Sequence, residues 1–154
     1  TIGMKKTQVG AQRAKDINGE ININALDMFF LNKTDIDFSQ FDYVIDAIDN
    51  VTGKLAIAES CYEKNVPLIS AMGCGNRKDY TALKQADIYE TSGCPLCKVM
   101  RKELKARGIN RLNVIYSAEN YVKTGERTPG STSFVPAIAG LMLAGAVINH
   151  LAAK

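Results

Sequence analysis

The sequence has little net charge and few cysteines, and each scarcity excludes a class of protein. It contains 19 Lys and Arg residues against 16 Asp and Glu residues, a net charge of +3, which is too small for a chain that binds polyanions over its whole surface. Its four cysteines do not form the dense framework of a small secreted domain. No basic segment followed by an apolar run opens the chain, so no secretory signal is visible. We therefore expect a cytoplasmic protein.

Long apolar runs are also scarce, and the one present is marginal in length for a membrane span. This run, Val135–Ala153, carries Asn149 and His150, so we expect a core or interface helix, no membrane partner, and a structural or interface role for His150. Small residues along the run permit close approach of another backbone, and an apolar face avoids water. We predict a homodimer with this helix in or beside the interface. The small residues are Ala137, Ala139, Gly140, Ala144, Gly145 and Ala146.

Helical and strand patterns alternate along the chain, which predicts an α/β fold. A short apolar run at Tyr43–Ile45, a helix over 50–65 and a second apolar run over 66–73 form a βαβ unit, which implies parallel strands. With 46% hydrophobic residues, the chain is long enough for one domain over 1–154 with its own core. The other predicted elements are helices over 1–18, 94–108 and 135–153, strands over 20–26, 82–91 and 111–119, and loops over 31–40 and 120–133.

Two aspartates and an asparagine follow the strand that begins at Tyr43, in the segment "FDYVIDAIDN". Ligands of open α/β sheets bind outside the carboxyl ends of the strands, which is where Asp46, Asp49 and Asn50 are expected. One interpretation is that one of these side chains only caps the following helix. The other is that one carboxylate holds a Mg²⁺ ion that bridges nucleotide phosphates. The pattern alone leaves both open.

Four longer segments resemble one family. "YVIDAIDNVTGKLAI" followed by "CYEKNVPLISAMGCG" is similar to the second half of the ThiF/MoeB/HesA superfamily, the adenylating domains related to ubiquitin-activating enzymes. "DIYETSGCPLCKVMRKELKARGI" followed by "GSTSFVPAIAGLMLAGAVI" most resembles its tRNA threonylcarbamoyladenosine dehydratase branch. The resemblance implies a Rossmann-like, mostly parallel sheet with flanking helices, and it covers the chain from Ile2 onward.

The resemblance also implies site residues. In the family, the aspartate directly before the asparagine contacts metal and phosphate, which corresponds to Asp49. A lysine that contacts the ATP phosphates corresponds to Lys6, with Lys5 as the alternative register. The position of Lys54 is usually basic in the family, although an ordinary surface lysine is an equal alternative. The catalytic candidates are Asp49 and Lys6, and the cofactor-binding candidates are Asp49, Lys6, Asn50 and Asp46.

The nucleotide cradle of the family is not found in this sequence. The family opens with a strand and a G-x-G-x-x-G turn, and nothing like them precedes the predicted first helix. The one G-x-G, Gly73–Gly75, has Lys78 where the third glycine would stand, which favours a turn that needs glycine for its backbone geometry. We therefore expect an amino-terminally shortened copy that lacks the first βαβ unit and is inactive alone.

The activity that the resemblance implies is ATP- and Mg²⁺-dependent activation of a carboxylate. The threonylcarbamoyl group on a tRNA adenosine would be adenylated, and attack from within its own side chain would then close a ring. One alternative is an adenylyltransferase that acts on the carboxyl terminus of a ubiquitin-like sulfur-carrier protein, which predicts a second C-x-x-C beyond Lys154. A nicotinamide-dependent enzyme and a non-catalytic scaffold are further alternatives.

Cys94 and Cys97 have the C-x-x-C spacing of half a zinc site or of a redox pair. The resemblance implies sulfur-carrier relatives that bind zinc with two such pairs, but no second pair is present here. Three roles stay open for the pair: an incidental or structural one, a zinc site completed by other residues or a partner, and a reactive thiol. A sulfur-transfer protein is accordingly a possible partner.

The helix after this pair carries a row of cations. They fall at positions i, i+3, i+4 and i+7, which places them on one helical face, and they predict a docking surface for tRNA, whose phosphates supply much of its affinity for proteins. An ordinary solvated face is the alternative. The four residues are Lys98, Arg101, Lys102 and Lys105, and Arg107 and Arg111 extend the row.

Overall fold

A computed structural model describes residues 2–31, 36–120 and 128–153. The chain divides into two compact units, Thr1–Phe30 and Leu31–Lys154, so the expectation of one domain over 1–154 stays a prediction. In the first unit, helix α1 spans Lys6–Ile17, and none of its residues is buried. An ion pair joins Lys5 and Asp27 within this unit.

The predicted strand over residues 20–26 is wrong, because this segment has no regular secondary structure. Its alternating apolar residues face water instead, with Ile21 40% and Leu26 52% exposed. Alternation produces a strand only where a neighbouring strand supplies hydrogen bonds. The described residues of this unit contain no strand.

The second unit is built on a four-stranded sheet, as the sequence predicts. The strands are β1 (Val44–Asp46), β2 (Leu68–Ala71), β3 (Leu83–Asp87) and β4 (Asn113–Ser117), in the order β1-β2-β4-β3. β1, β2 and β4 are parallel, whereas β3 is antiparallel to β4 at one edge. The fold is therefore α/β with a mostly parallel sheet.

Helices cover both faces of this sheet. α2 (Val51–Glu63) and α3 (Pro95–Ala106) share one core with the β4 side chains of Val114 and Tyr116. α4 (Val135–Ala152) packs on the other face, against Ile115 of the same strand. Successive residues of a strand point to opposite faces. The continuous apolar run of β4 therefore serves two cores.

Two glycines are required by close approaches between segments. An added Cβ at Gly75 would lie 2.6 Å from Cβ of Pro129, so this glycine provides space and does not adopt the positive φ of a special turn. Gly93 has φ +70, and an added Cβ would lie 3.3 Å from the carbonyl oxygen of Ala118. Gly93 therefore meets both requirements, and it lets the chain before α3 approach the end of β4.

The chain before α4 is attached to the chain after β2. Asn76 N donates to the Gly130 carbonyl at 2.8 Å, and Gly130 N donates to Asn76 Oδ1 at 2.9 Å. Parts of the two predicted loops, residues 32–35 and 121–127, lie outside the described residues. Residues 38–40 of the first loop form a short 3₁₀ helix.

Candidate functional site

The three parallel strands have their carboxyl ends on one side of the sheet, which we call the carboxyl edge. The polar residues of the candidate site lie at these strand ends. β1 ends at Asp46 and is followed by residues 47–50, β2 is followed by residues 72–79, and β4 by residues 118–120. The carboxyl edge of an open α/β sheet is where such folds bind their ligands. The side chains at this edge therefore decide what the unit can do chemically.

Asp46 belongs to a buried ion cluster, which we define as Asp46, Lys54 and Ser70. Lys54 Nζ lies 3.0 Å from Asp46 Oδ2, and each of these two side chains is 1% exposed. Ser70 Oγ donates to the same carboxylate oxygen at 2.5 Å. The ammonium group also donates to Ser70 Oγ at 3.2 Å and to the Ala71 carbonyl at 2.7 Å. Interpreting Lys54 as a surface lysine is therefore wrong, because its charge is neutralised inside the protein.

The three polar side chains at the end of β1 and just after it have different partners. Asn50 caps α2, because its Oδ1 accepts a hydrogen bond from Gly53 N at 3.0 Å. Asp46 Oδ1 accepts from Ile48 N at 3.1 Å and so orders the intervening turn. Asp49 is exposed, and within the described part of the chain it has no hydrogen-bond or ion-pair partner. Its carboxylate is the one in this segment that remains available to a ligand.

Lys6 begins α1 in the amino-terminal unit, and its side chain is exposed. Lys5 forms the ion pair with Asp27, whereas Lys6 has no such partner among residues 2–31, 36–120 and 128–153. An unpaired ammonium group can bind a phosphate without first giving up another anion. Of the two lysines named from the sequence, Lys6 is therefore the one whose ammonium group has no ionic partner in the described part of the chain.

Arg77 is a structural member of this edge that sequence reasoning missed. It is 2% exposed, and its guanidinium donates to the carbonyl of Glu119 and, at 3.2 Å, to that of Gly93. The Glu119 carboxylate accepts from the backbone N–H groups of Lys78 and Asp79 at 3.0 and 3.1 Å. These contacts tie the loop after β2 to the end of β4. In the sequence, the one signal for this residue is a cationic side chain two residues after Gly75.

Cys94 and Cys97 are both free thiols at the start of α3. They are 5% and 0% exposed. A zinc ion needs about four ligands, and the described residues contain no group of three or more His, Cys, Asp or Glu side chains that could hold a metal. The zinc hypothesis for this pair stays a prediction that would need ligands from elsewhere.

The row of cations on α3 is shorter than the sequence suggests. Arg101 is half-buried, and its guanidinium donates to the Thr91 hydroxyl and, at 2.9 Å, to the Thr91 carbonyl. Arg107 is held by Glu59 and Glu103, each at 2.7 Å. The exposed remainder, which we call the basic face, consists of Lys98, Lys102 and Lys105.

α4 has a second apolar surface that does not pack on the sheet. Val135, Ala139 and Leu143 are buried against the sheet, while Leu141 is 72% and Ile148 63% exposed. By length and composition α4 could cross a membrane, but a helix of a soluble protein passes the same test. We define the outer face of α4 as Ala137, Gly140, Leu141, Ala144 and Ile148, all of which are exposed.

His150 lies near the end of α4, where its ring packs edge-on against Tyr43 with centroids 5.0 Å apart. Tyr43 directly precedes β1 and so lies at the opposite edge of the sheet from Asp49. A histidine in this place has a packing role. It is too far along the strands to serve the carboxyl edge.

Comparison with known proteins places this geometry in context. The ThiF family matches residues 1–154. A Bacillus subtilis protein named tRNA threonylcarbamoyladenosine dehydratase is 34% identical over an alignment of 171 residues. This alignment covers 98% of this chain and 67% of that protein. An Escherichia coli protein of the same name is 32% identical over 107 residues, 68% of this chain and 40% of that protein.

Solved structures agree with the sequence comparison. Crystal structures of the Escherichia coli dehydratase, TcdA, in complex with AMP and with ATP superpose with TM-scores of 0.87 and 0.86 at 26% and 28% identity. They cover 99% of this chain, whereas the chain covers 66% and 65% of those structures. The chain thus spans about two thirds of the length of these relatives.

The buried ion cluster yields a stability prediction. Lys54→Met removes the ammonium group but keeps an apolar stem, so the Asp46 carboxylate is left buried without its partner. We expect a loss of about 3–5 kcal/mol in the free energy of unfolding, measured by urea denaturation. Lys64→Met is the matched control, because Lys64 pairs with Asp37 at the surface with side chains 39% and 60% exposed, and it should cost far less. Equal losses in the two variants would show that the cluster does not support the fold.

Proposed function

This chain belongs to the ThiF family, and from that premise we propose that the full-length protein uses ATP to activate the carboxylate of threonylcarbamoyladenosine in tRNA. Cyclisation with loss of AMP then completes the dehydration. The observation that carries this proposal is the exposed, unengaged Asp49 carboxylate at the carboxyl edge of β1. The names of the relatives and the AMP and ATP complexes of the neighbouring structure support it.

In this proposal the substrate carboxylate attacks the α-phosphorus of ATP, and pyrophosphate leaves. A nucleophile of the same modified side chain then attacks the acyl carbon of the mixed anhydride, and AMP departs as the ring closes. Such steps need positioning and charge neutralisation more than covalent help. Lys6 would neutralise phosphate charge, and no histidine is required.

Asp49 offers a hard carboxylate oxygen, the ligand type that Mg²⁺ prefers beside phosphate oxygens. When bound, Mg²⁺ would neutralise the developing charge on the leaving pyrophosphate. Asn50 and Asp46 would act indirectly, because the first caps α2 and the second orders the turn before Asp49. We therefore assign them to positioning the site and not to contact with the nucleotide.

The basic face is the proposed docking surface for tRNA. Lys98, Lys102 and Lys105 are exposed at spacings of four and three residues along α3, so their ammonium groups lie on one side of the helix. A row of mobile cations suits the phosphate backbone, whose neutralisation provides much of the affinity. Arg101 is excluded from this role, since its guanidinium is held by Thr91.

We further propose a cytoplasmic homodimer in which the outer face of α4 meets a second copy. A helix that is apolar on two opposite sides needs two partners, and the sheet supplies one of them. Alanine and glycine on the outer face allow close backbone approach. A sulfur-transfer partner and the sulfur-carrier alternative remain predictions without support from the site.

Asp49→Asn should abolish ATP–pyrophosphate exchange by the full-length protein, lowering the rate at least about a hundred-fold, while the thermal unfolding midpoint is unchanged. Glu63→Gln removes the same charge from an exposed residue at the far end of α2 and should leave exchange unaffected. Retention of exchange in Asp49→Asn would refute the assignment of this carboxylate.

The basic face is tested by the salt dependence of tRNA affinity. Lys98→Gln with Lys102→Gln removes two phosphate contacts. The slope of log affinity against log salt is negative, and its magnitude should decrease by roughly two units. Lys15→Gln with Lys84→Gln removes two exposed lysines elsewhere as the matched control. If both double variants change the slope equally, the row on α3 is an ordinary solvated face.

The oligomer is tested by light scattering at micromolar concentration. The unaltered protein should have the mass of a dimer, and Leu141→Glu should convert it to a monomer because a charge would be buried in the apolar interface. Val99→Glu serves as the control, since Val99 is 46% exposed on α3. A monomeric unaltered protein, or a dimer that survives Leu141→Glu, would contradict this interface.

A further inference from the structure

We propose that Cys94 and Cys97 form a reversible dithiol–disulfide pair in which Cys94 is the attacking thiol and Cys97 the resolving thiol. The inference is independent of the tRNA activity. It rests on the geometry of the first turn of α3, on the groups around the two sulfurs and on the difference in their exposure.

The local geometry places both cysteines in the first turn of α3. Cys94 is the N-cap of α3, Pro95 is the first helical residue, and Cys97 lies in the first turn. The side chain of an N-cap residue turns back toward the second and third helical residues, so Cys94 and Cys97 lie on the same side of the helix start, and neither is in a disulfide. A Cys-x-x-Cys pair at a helix start is the arrangement in which thioredoxin-like proteins form a reversible disulfide.

The surroundings of Cys94 favour its thiolate. The Cys97 thiol, the backbone N–H groups of Cys97 and Leu96 at the helix start, and the Arg77 guanidinium all favour negative charge on this sulfur. These effects outweigh burial and lower the pKa of Cys94 to about 6. The pKa of Cys97 is raised, because the Cys94 sulfur favours its protonated form and its site is buried.

The two cysteines differ in solvent exposure, and this difference assigns their roles. Cys94 retains 5% of its surface, while Cys97 retains 0%. The thiolate is the nucleophilic form of cysteine, so the residue that carries it is also the one that a small reagent can reach. Cys97 can be reached only by the sulfur beside it, as a resolving thiol requires.

The other two cysteines lack this combination. Burial raises the pKa of the Cys61 thiol to about 11. Burial also raises the pKa of Cys74, and a nearby Cys94 thiolate adds to that effect. Both are therefore protonated at neutral pH and serve as internal references.

The reaction balances with a hydroperoxide as the two-electron oxidant. The Cys94 thiolate attacks one peroxide oxygen, the O–O bond breaks, hydroxide leaves, and Cys94 becomes a sulfenic acid. The Cys97 sulfur then attacks the Cys94 sulfur, the S–S bond forms, and the sulfenic oxygen leaves as water with the Cys97 proton. A small-molecule thiol returns the pair to the reduced form by exchange.

Hydrogen peroxide treatment of the native protein tests the pairing. Trypsin should release residues 55–64, 65–77 and 85–98 as separate peptides, which contain Cys61, Cys74, and the Cys94–Cys97 pair respectively. After acid quenching and alkylation, we expect peptide 85–98 to carry no alkyl group and to have a mass two hydrogens below that of its reduced, unalkylated form. Reduction with dithiothreitol before alkylation should give the doubly alkylated peptide again. The other two peptides should stay alkylated. A Cys74–Cys94 link, or full alkylation of peptide 85–98 in treated protein, would overturn the proposal.

The assignment of roles is tested by the pH dependence of iodoacetamide alkylation in the reduced native protein. The rate at Cys94 should be constant above its pKa of about 6 and fall below it, because protonation removes the nucleophile. Cys97→Ala should raise this midpoint and should trap the Cys94 sulfenic acid as a dimedone adduct. Cys74→Ser should change neither result. A midpoint at an ordinary thiol value in the unaltered protein would refute Cys94 as the attacking thiol.

Discussion

The neutralisation of one buried ammonium group organises the candidate site. Lys54 rises from α2 into the space between the helix and the sheet, where it contacts Asp46 of β1 and the end of β2. A buried charge is tolerated only when it is paired and hydrogen-bonded. Helix and strands must therefore keep one relative position, or the ion cluster loses a partner. The turn that presents Asp49 starts at Asp46, so its geometry follows from the same constraint.

Polar ties between loops complete the carboxyl edge. Arg77 joins the segment after β2 to the segments before α3 and after β4, and Asn76 joins it to the chain before α4. The carbonyls that Arg77 binds are partly buried and would otherwise lack a partner there, whereas the Asn76 tie lies at the surface. The glycines at 75 and 93 let these segments come close enough. The edge is thus rigid around a few exposed side chains, which suits a site that acts by positioning.

Sequence reasoning predicted the elements of the second unit because their signals are local. The apolar runs at β1, β2 and β4 and the helical pattern of α3 need no knowledge of neighbours. The segment 20–26 failed for the opposite reason, since alternation does not reveal whether a partner strand is present. The environments of Lys54 and Arg101 depend on residues distant in sequence, which spacing along a helix cannot show. For the same reason, the choice of Asp49 within its segment came from the family resemblance, and its freedom from local contacts became visible only in three dimensions.

The exposed character of α1 has a consequence for local unfolding. None of its residues is buried, and an isolated helix of 12 residues is marginally stable in water. β4 is the opposite case, with four of its five residues buried and a paired strand on each side. Regions with few buried contacts open at low free energy, while core strands open only with the whole domain. Amide hydrogens of α1 will therefore exchange with solvent long before those of β4, and Lys6 is carried by the segment that opens first.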